Sequence, residues 1–520
     1  MIIMLTITMP RFQSYNYDQH IMLVINLEEQ LQPGSFEHAI HYLIEHKIDL
    51  GEFYTHYNND DTGRPAYDPA LLLKIVLFAY SKGITSSREI EWCCHTNIVF
   101  KALSCDLVPH FTTIAEFVSG RTQAILSVFE QVLLVCDEQG LLGHELLAMD
   151  GCKMSSNAAK EWSGKLSELG AKRDKIKRHI AHHLQAHREA DARDQFDQTA
   201  RHEQAIDTLE KAANRIDAFL AEASPRRGQG SKASEVQSNI TDNESAKMKT
   251  SKGTLQGYNG IATVDHKHQI VVDASAFGAG PEQFTLPIIL ERIQARYTRL
   301  KLNKNILAET IITADTGFAS EENMAYLHKS DINAYIPDNQ FRQRDGRFDD
   351  KVRKHPNRVR QERPLNTKIP ASDFTFDPVK QTCVCPTGEV LRLHHLTSDR
   401  MFFEARLLSC RHCDRKHECM RNPASADHRK GSGRQVSFLL TDKRKPTYTD
   451  WMKHRVDSGY GKQVYAHRMS TVEPVFGNLE HNKGLKKFSL RGSKKVNSQW
   501  QLYCLIHNIE KLKNYGQLAA

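Results

Sequence analysis

The sequence predicts an α/β protein: a mixed-sheet core interrupted by a helical hairpin and by a cysteine-containing insert, preceded by an all-α N-terminal domain. Three observations predict it. Helix start and stop signals recur through the first 140 residues, and from 141 to 337 short β-branched runs alternate with helical periods. Two stretches, 158–232 and 338–445, break that alternation with charge or with cysteines. The organisation is therefore 1–140 helical, 141–157 the first core strand, 158–232 hairpin and linker, 233–337 core, 338–445 cysteine-rich insertion and 446–520 the C-terminal helical part of the core. A length of 520 residues suits about three domains of ordinary size.

The elements follow in order. "DPALLLKIVLFAYSKG" has Asp68 as N-cap, Pro69 at the first helical position and Gly83 as a stop. Ser86-x-x-Glu89 and Thr113-x-x-Glu116 read as capping boxes that open two further helices. Helices joined by short turns can include a helix-turn-helix DNA reader, although such bundles are common without one. "HELLAMD" is a buried strand that delivers Asp150 at its end. Leu166, Leu169, Ile176 and Ile180, then Ile206, Leu209, Ile216 and Leu220, recur at three-and-four spacing, which makes 158–222 an antiparallel helical pair; "SPRRGQGSK" is a flexible exit. "GYNGIATVDHKHQIVVDASAFG" reads as a hairpin, "FTLPIILERIQARYTRL" as a helix, and "NILAETIITADTGF" as a strand ending on Asp315. "SEENMAYLHKS" is helical and "INAYIP" a strand. From Tyr460 the chain returns to helix, and Trp500, Leu502, Leu505, Ile506 and Ile509 form one apolar face.

The formal net charge is +8, but the basic residues cluster at Lys172–Arg178, Arg342–Arg360 and Lys483–Lys495. Any one cluster fits a solvated face; their recurrence favours a nucleic acid partner. The apolar start "MIIMLTITMP" lacks a basic n-region and a cleavage site, and no run approaches the roughly 18 apolar residues of a membrane span. A cytoplasmic protein with no membrane partner is expected. Eleven cysteines without a signal peptide point to reduced thiols or metal ligation.

Asp150 and Asp315 each end a strand-like run, so both can project from one edge of a sheet although 165 residues separate them. Two divalent ions about 4 Å apart, held by a few carboxylates, is the arrangement that phosphodiester hydrolysis uses. A strand-ending aspartate is also a common turn residue, and Asp265 and Asp273 compete for the role. Glu473 is the candidate third ligand. Ser470-Thr-Val-Glu473 fits a capping box, with Pro474 in the first turn. Against a plain cap stand Arg468, Lys483, Lys486, Lys487, Arg491, Lys494 and Lys495, a crowd suited to a scissile phosphate. Spacing leaves both readings open.

Several ordered segments carry a resemblance: "PAYDPALLLKIVLFAYSKGITSSREIE", "MDGCKMSSNAA", "NESAKMKTSKGTLQGYNGIATVD", "ADTGFASEENMAYLHKSDINAYIPDNQFRQRDGRF" and "YAHRMSTVEPVFGNLEHNKGLKKFSLRG". Together they resemble the DDE transposases of bacterial insertion sequences, in the branch with an InsH-like N-terminal domain. The resemblance implies an RNase H-like core in which Asp150, Asp315 and Glu473 hold Mg2+ (or Mn2+), and cleavage and joining of transposon-end DNA to target DNA. It implies that Tyr465 and Arg468 contact the DNA backbone. The family's next lysine falls seven residues after Glu473, where this chain has Glu480, with Lys483 as the nearest substitute. Lys486, Lys487 and Arg491 complete the expected DNA contacts. Lys153 and Asn157 match polar positions after the first aspartate, and Ile261 stands where the family often has glutamine. Because two DNA ends must be held together, the N-terminal helices are expected to bind ends, and the hairpin and insert to serve either a homodimer on DNA or end binding. An inactive or domesticated DNA-binding descendant, and a metal-dependent nuclease without strand transfer, are the alternatives.

"CVCPTGEV" and "CRHCDRKHEC" give Cys383, Cys385, Cys410, Cys413 and Cys419. Cys385, Cys410, Cys413 and Cys419 are the better quartet for a structural Zn2+, because Cys385 begins a knuckle-like turn; Cys383 is spare.

Overall fold

A computed structural model describes residues 24–57, 65–192, 196–228, 234–250, 253–303, 305–347, 369–377, 380–397, 400–428, 431–440 and 446–518. The leader "MIIMLTITMP", the basic cluster from 348 to 360 and residues 229–232 of the exit segment lie outside the described residues. The chain forms two compact units, 1–317 with 466–520, and 318–465.

In the first unit, helix Pro69–Ser81 starts as its sequence dictates. The Asp68 side chain accepts from Ala70 N at 2.7 Å, and Pro69 occupies the first turn, where no N–H is needed. It stops at Gly83, whose φ of +78° suits glycine, and where a Cβ would come within 3.3 Å of Lys483 O. Both predicted capping boxes fail. Ser86 precedes helix Ser87–Thr96 but makes no side-chain cap bond. Beyond a short helix, Ile98–Leu103, the helix Phe111–Gly120 starts two residues before Thr113, because the His110 ring accepts from Thr112 N. What reads as one long helix breaks at Arg121 and resumes as Thr122–Glu138.

The sheet is built around the strand Leu146–Ser155. It runs antiparallel to the long strand Gly253–Asp265, with Asp150 opposite Ala262, and parallel to Ile311–Ala314, with Met149 opposite Ala314. The long strand's other edge carries Val271–Phe277 and Ala246–Thr250, both antiparallel. The parallel register decides the site: Asp150 and Asp315 are each the next residue after a paired position.

The competing aspartates are structural. Asp265 is buried and accepts from the backbone N–H groups of Gly143, His144 and Lys267 at 2.9–3.0 Å. Asp273 is buried against Arg296 at 2.7 Å and Arg292, and these guanidiniums hold its carboxyl below the usual range despite burial.

The C-terminal helix Ser493–Tyr515 departs from its predicted single apolar face. Its buried residues include Ser498, Gln499, Gln501, His507 and Asn508 as well as Trp500 to Ile509. The polar ones have a purpose: Val271–Phe277 has an edge that needs partners, and side chains of the helix supply them. Asn508 exchanges two 2.8 Å bonds with the Val271 backbone, Asn497 accepts from Ala276 N at 2.9 Å, and Gln501 donates to Ala274 O. An amphipathic pattern is absent because the helix is enclosed.

The helical pair is Leu166–Asp191 and Phe196–Glu222. Arg173 with Asp217 and His187 with Glu203, at 3.1 and 3.2 Å, fix it as antiparallel.

In the second unit, "SEENMAYLHKS" forms helix Glu321–Lys329 behind an Ser320 N-cap, and "INAYIP" gives only the two-residue strand Ala334–Tyr335. The cysteine insertion, read from sequence as turns and charge, holds a five-stranded antiparallel sheet in the order Gln435–Leu439, Arg400–Glu404, Val390–Leu396, Thr382–Val384, Thr375–Asp377. Its strands are short and only Leu391, Met401, Phe403 and Val436 with a few neighbours form its core, so no strong alternation marks it. Among the described residues no helix is long and apolar enough to cross a membrane.

Candidate active site

Asp315 follows the end of its strand as expected, whereas Asp150 lies midway along a strand that continues to Ser155 because it stays paired with the long antiparallel strand; the two meet around one guanidinium. Arg468, nearly buried on helix Gly459–Gly477, lies 2.8 Å from Asp150 and 3.9 Å from Asp315, and its Nε donates to Met149 O at 3.4 Å. Gly151 N donates to Asp150 Oδ1 at 2.9 Å. Burial nevertheless dominates and pushes the Asp150 carboxyl up to about 6; Arg468 opposes this, while Asp315 and Glu282 add to it.

Glu282 is the residue that sequence reasoning missed. It lies in a single turn between strand Val271–Phe277 and helix Leu286–Leu300, in the motif-free segment "GPEQF". Asn259 Nδ2 donates to its Oε1 at 2.9 Å. Burial raises its carboxyl, Lys153 and Arg468 pull it down, and Asp315 raises it. Two glycines make room for it: a Cβ on Gly317 would come within 2.0 Å of Glu282 Oε2, and one on Gly151 within 3.1 Å of Oε1. The only sequence signal is indirect, a glycine close behind each site aspartate.

Glu473 stands exposed on the same helix as Arg468, five residues on, or about 7.5 Å along the axis. The capping-box reading of this segment is wrong. Ser470 and Thr471 sit inside the helix, and both hydroxyls donate back to His467 O, at 2.9 and 2.8 Å, which leaves no cap for Glu473 to complete. Pro474 is likewise inside the helix, and a π-turn, Asn478–Asn482, follows it.

The expected DNA contacts divide. Lys486, Lys487 and Arg491 are exposed, as are Lys494 and Lys495. Arg491 donates to Asn157 O at 2.6 Å, beside a cleft of about 360 Å³ that Thr85, Ser87, Ser119 and Lys495 help to line. Lys483 faces inward: it is 7% exposed and pairs with Glu510 at 2.8 Å, so it cannot replace the missing lysine without breaking that pair. Tyr465 is buried in the second unit with its ring edge-on to Phe341. Arg468 faces the aspartates. Glu480 is half-buried on the π-turn, and its charge helps to raise the Cys152 thiol, two residues from Asp150. Lys153 is exposed, and Ile261 is buried in the long strand.

Cys385, Cys410, Cys413 and Cys419 line one cavity of about 40 Å³ in the second unit, while Cys383 is fully buried in the sheet opposite Leu391 and Phe376. Burial raises the Cys410 and Cys419 thiols, and Cys385 and Cys413 add to both shifts. Among the described residues no group of three or more His, Cys, Asp or Glu side chains is set to hold a metal ion as it stands.

Fold and site thus define a mixed α/β protein with a half-buried carboxylate centre. Residues 384–513 match a transposase DDE domain and residues 25–120 a transposase domain (DUF772), and both matches agree with the resemblance to the DDE transposases of insertion sequences. No curated protein matches the chain.

Proposed function

We propose that the chain binds insertion-sequence ends and catalyses divalent-metal-dependent hydrolysis and strand transfer, with Asp150, Asp315 and Glu473 as its catalytic carboxylates. The observation that carries this reading is the parallel register, Met149 opposite Ala314, that sets the two aspartates side by side. Three antiparallel strands followed by a parallel one also support an RNase H-like core. An all-oxygen donor set suits a hard ion such as Mg2+ or Mn2+, and the Arg468 guanidinium already acts as a cation between the aspartates. The bound metal would activate the attacking water or DNA 3′-OH and stabilise the leaving oxygen. Asp150 and Asp315 would hold it from their neighbouring strands, Glu473 would supply the third carboxylate from its helix, and Arg468, displaced from the aspartates, would pair with a phosphate.

The test is incubation of the purified chain with its element's ends, a target plasmid and Mg2+. Joined products support the proposal, and cut ends without joining support the nuclease alternative. Binding without cleavage supports an inactive descendant, the reading that Glu480 favours.

The exposed strip Lys486, Lys487, Arg491, Lys494 and Lys495 is proposed as the DNA-backbone track. Lys486→Ala with Lys487→Ala is expected to weaken end binding and to reduce the slope of log affinity against log salt by about 2, since each lost phosphate contact removes about 0.9. An unchanged slope assigns the track elsewhere.

We further propose that Cys385, Cys410, Cys413 and Cys419 hold a structural Zn2+ that braces the small insertion sheet, with dimer support on DNA as the insertion's wider role. The shared cavity supports this, and four thiolates are a closed donor set with no position for water. Purified protein is expected to contain one zinc per chain, and Cys410→Ser to lose it, by elemental analysis; a zinc-free parent chain excludes the site.

A further inference from the structure

Glu282 is held in a way that a purely structural carboxylate does not need. It has no motif around it, yet the backbone of a strand and of a turn leaves room for it: Gly151 follows Asp150 and Gly317 lies two residues after Asp315, and a side chain at Gly317 would collide with Glu282 Oε2 while one at Gly151 would crowd Oε1. Behind it stands Asn259, only 1% exposed. The Asn259 amide nitrogen donates to Glu282 Oε1 at 2.9 Å, which fixes the orientation of the amide and leaves Oδ1 as an acceptor with no hydrogen-bond partner. That orphan oxygen and Oε1 lie 2.9 and 3.1 Å from where a Gly151 Cβ would be, with the Asn259 amide nitrogen that joins them 3.2 Å from the same point. A buried acceptor without a donor is costly, and two acceptors facing one space are complementary to a cation. Among the described residues, the cationic groups that act most on Glu282 are Lys153, which is exposed, and Arg468, which is engaged with Asp150. Asp150 and Asp315 share one guanidinium, and Glu282 adds a third carboxylate charge that acts on both, which leaves an excess of negative charge.

We propose that Glu282 is a further ligand of the divalent cation in this site, and that Asn259 orients it. The inference rests on the metal-dependent reading above. Asn259 acts as a positioning residue: its Nδ2 holds Oε1 so that the free lone pairs of Glu282 face the aspartates. The arrangement would also allow a first ion to bind before the exposed Glu473 is in place, since Asp150, Asp315 and Glu282 already act on one another's charge.

The test is Mn2+ binding to the metal-free full-length chain, followed by the electron paramagnetic resonance signal of free Mn2+ and by the rise in unfolding temperature. Wild type, Asp150→Asn, Glu282→Gln and Asn259→Ala are compared without DNA. Glu282→Gln is expected to weaken Mn2+ binding at least about 10-fold and Asn259→Ala by a similar factor, the range seen when groups that orient metal ligands are removed. Without metal, Glu282→Gln should unfold no earlier than wild type, because it removes a like charge. Wild-type affinity in both variants, with Asp150→Asn impaired, overturns the role of Glu282 and leaves the metal-dependent reading standing. No Mn2+ binding by the wild type overturns that reading itself. Should Glu282→Gln not fold, Asn259→Ala decides: unchanged affinity there overturns the proposal.

Discussion

Asp150→Asn and Asp315→Asn are each expected to cut transposon-end DNA at least about 1,000-fold more slowly than the parent chain while still binding it, a loss of about 4 kcal/mol of transition-state stabilisation. The expectation comes from register. With Met149 opposite Ala314 in parallel strands, the two side chains share one edge and one counter-charge, Arg468. Asparagine keeps the shape and removes the charge, so a loss of cleavage reports on ligation rather than on folding. Supercoiled-plasmid cleavage and gel shift measure the two quantities separately. If either variant retains more than about a tenth of the parent rate, far above the loss that removing such a charge entails, the site is misassigned.

The same residue gives a pH signature. The Asp150 carboxyl is raised in the folded chain to about 6 from an ordinary 3.8. The folded state therefore binds its proton more tightly than the unfolded state. Its contribution to stability is fully present below about pH 4 and is lost as pH rises through about 6, a change of about 2–3 kcal/mol. Metal-free wild type should show that decline in urea titrations taken across this window. Asp150→Asn should lack this part of it, whatever its absolute stability, and an identical slope in the two proteins would mean that the carboxyl is not enclosed as described.

How much of this was legible in the sequence depended on whether a local signal matched a local cause. Asp68-Pro69 and Gly83 specify their helix from within a few residues, so they read correctly. Asp150 and Asp315 were legible because a short apolar run leads to the first and a β-branched run to the second, although the first strand continues past Asp150 to Ser155 and the adjacency of the two is a property of the sheet. Glu282 was not legible: its position depends on Asn259, Gly151 and Gly317, which come from different strands and turns. The segment around Glu473 misled in the opposite way. Ser470 and Glu473 have the spacing of a capping box, but the helix starts eleven residues earlier, at Gly459, and the serine bonds backward. The C-terminal helix failed for a third reason. Its polar residues are buried against strand edges, and periodicity cannot distinguish that from solvent exposure.

That enclosed helix also carries the largest expected stability effect. Trp500 is fully buried, donates its indole N–H to Ile261 O at 2.9 Å, and packs against Phe476 and Phe488 with ring centroids 6.0 and 6.4 Å away. Gly260 is glycine because a Cβ there would lie 3.2 Å from both the indole Cδ2 and Met154 Cε. Trp500→Ala removes this contact and opens a cavity, so the first unit should lose about 3–5 kcal/mol of unfolding free energy. Trp500→Phe keeps most of the volume but not the donor, and should cost about 1–2 kcal/mol. Urea unfolding followed by far-UV circular dichroism measures both; a loss below about 1 kcal/mol for the alanine variant contradicts the packing, since a buried indole cannot be deleted so cheaply. The consequence extends to catalysis. Gly260 and Ile261 pair with Cys152 and Gly151, immediately beyond Asp150, and Phe476 belongs to the helix that carries Arg468 and Glu473. One indole therefore links the strand that presents the first carboxylate to the helix that presents the arginine and the glutamate. In the folded fraction of Trp500→Ala, cleavage should fall further than binding.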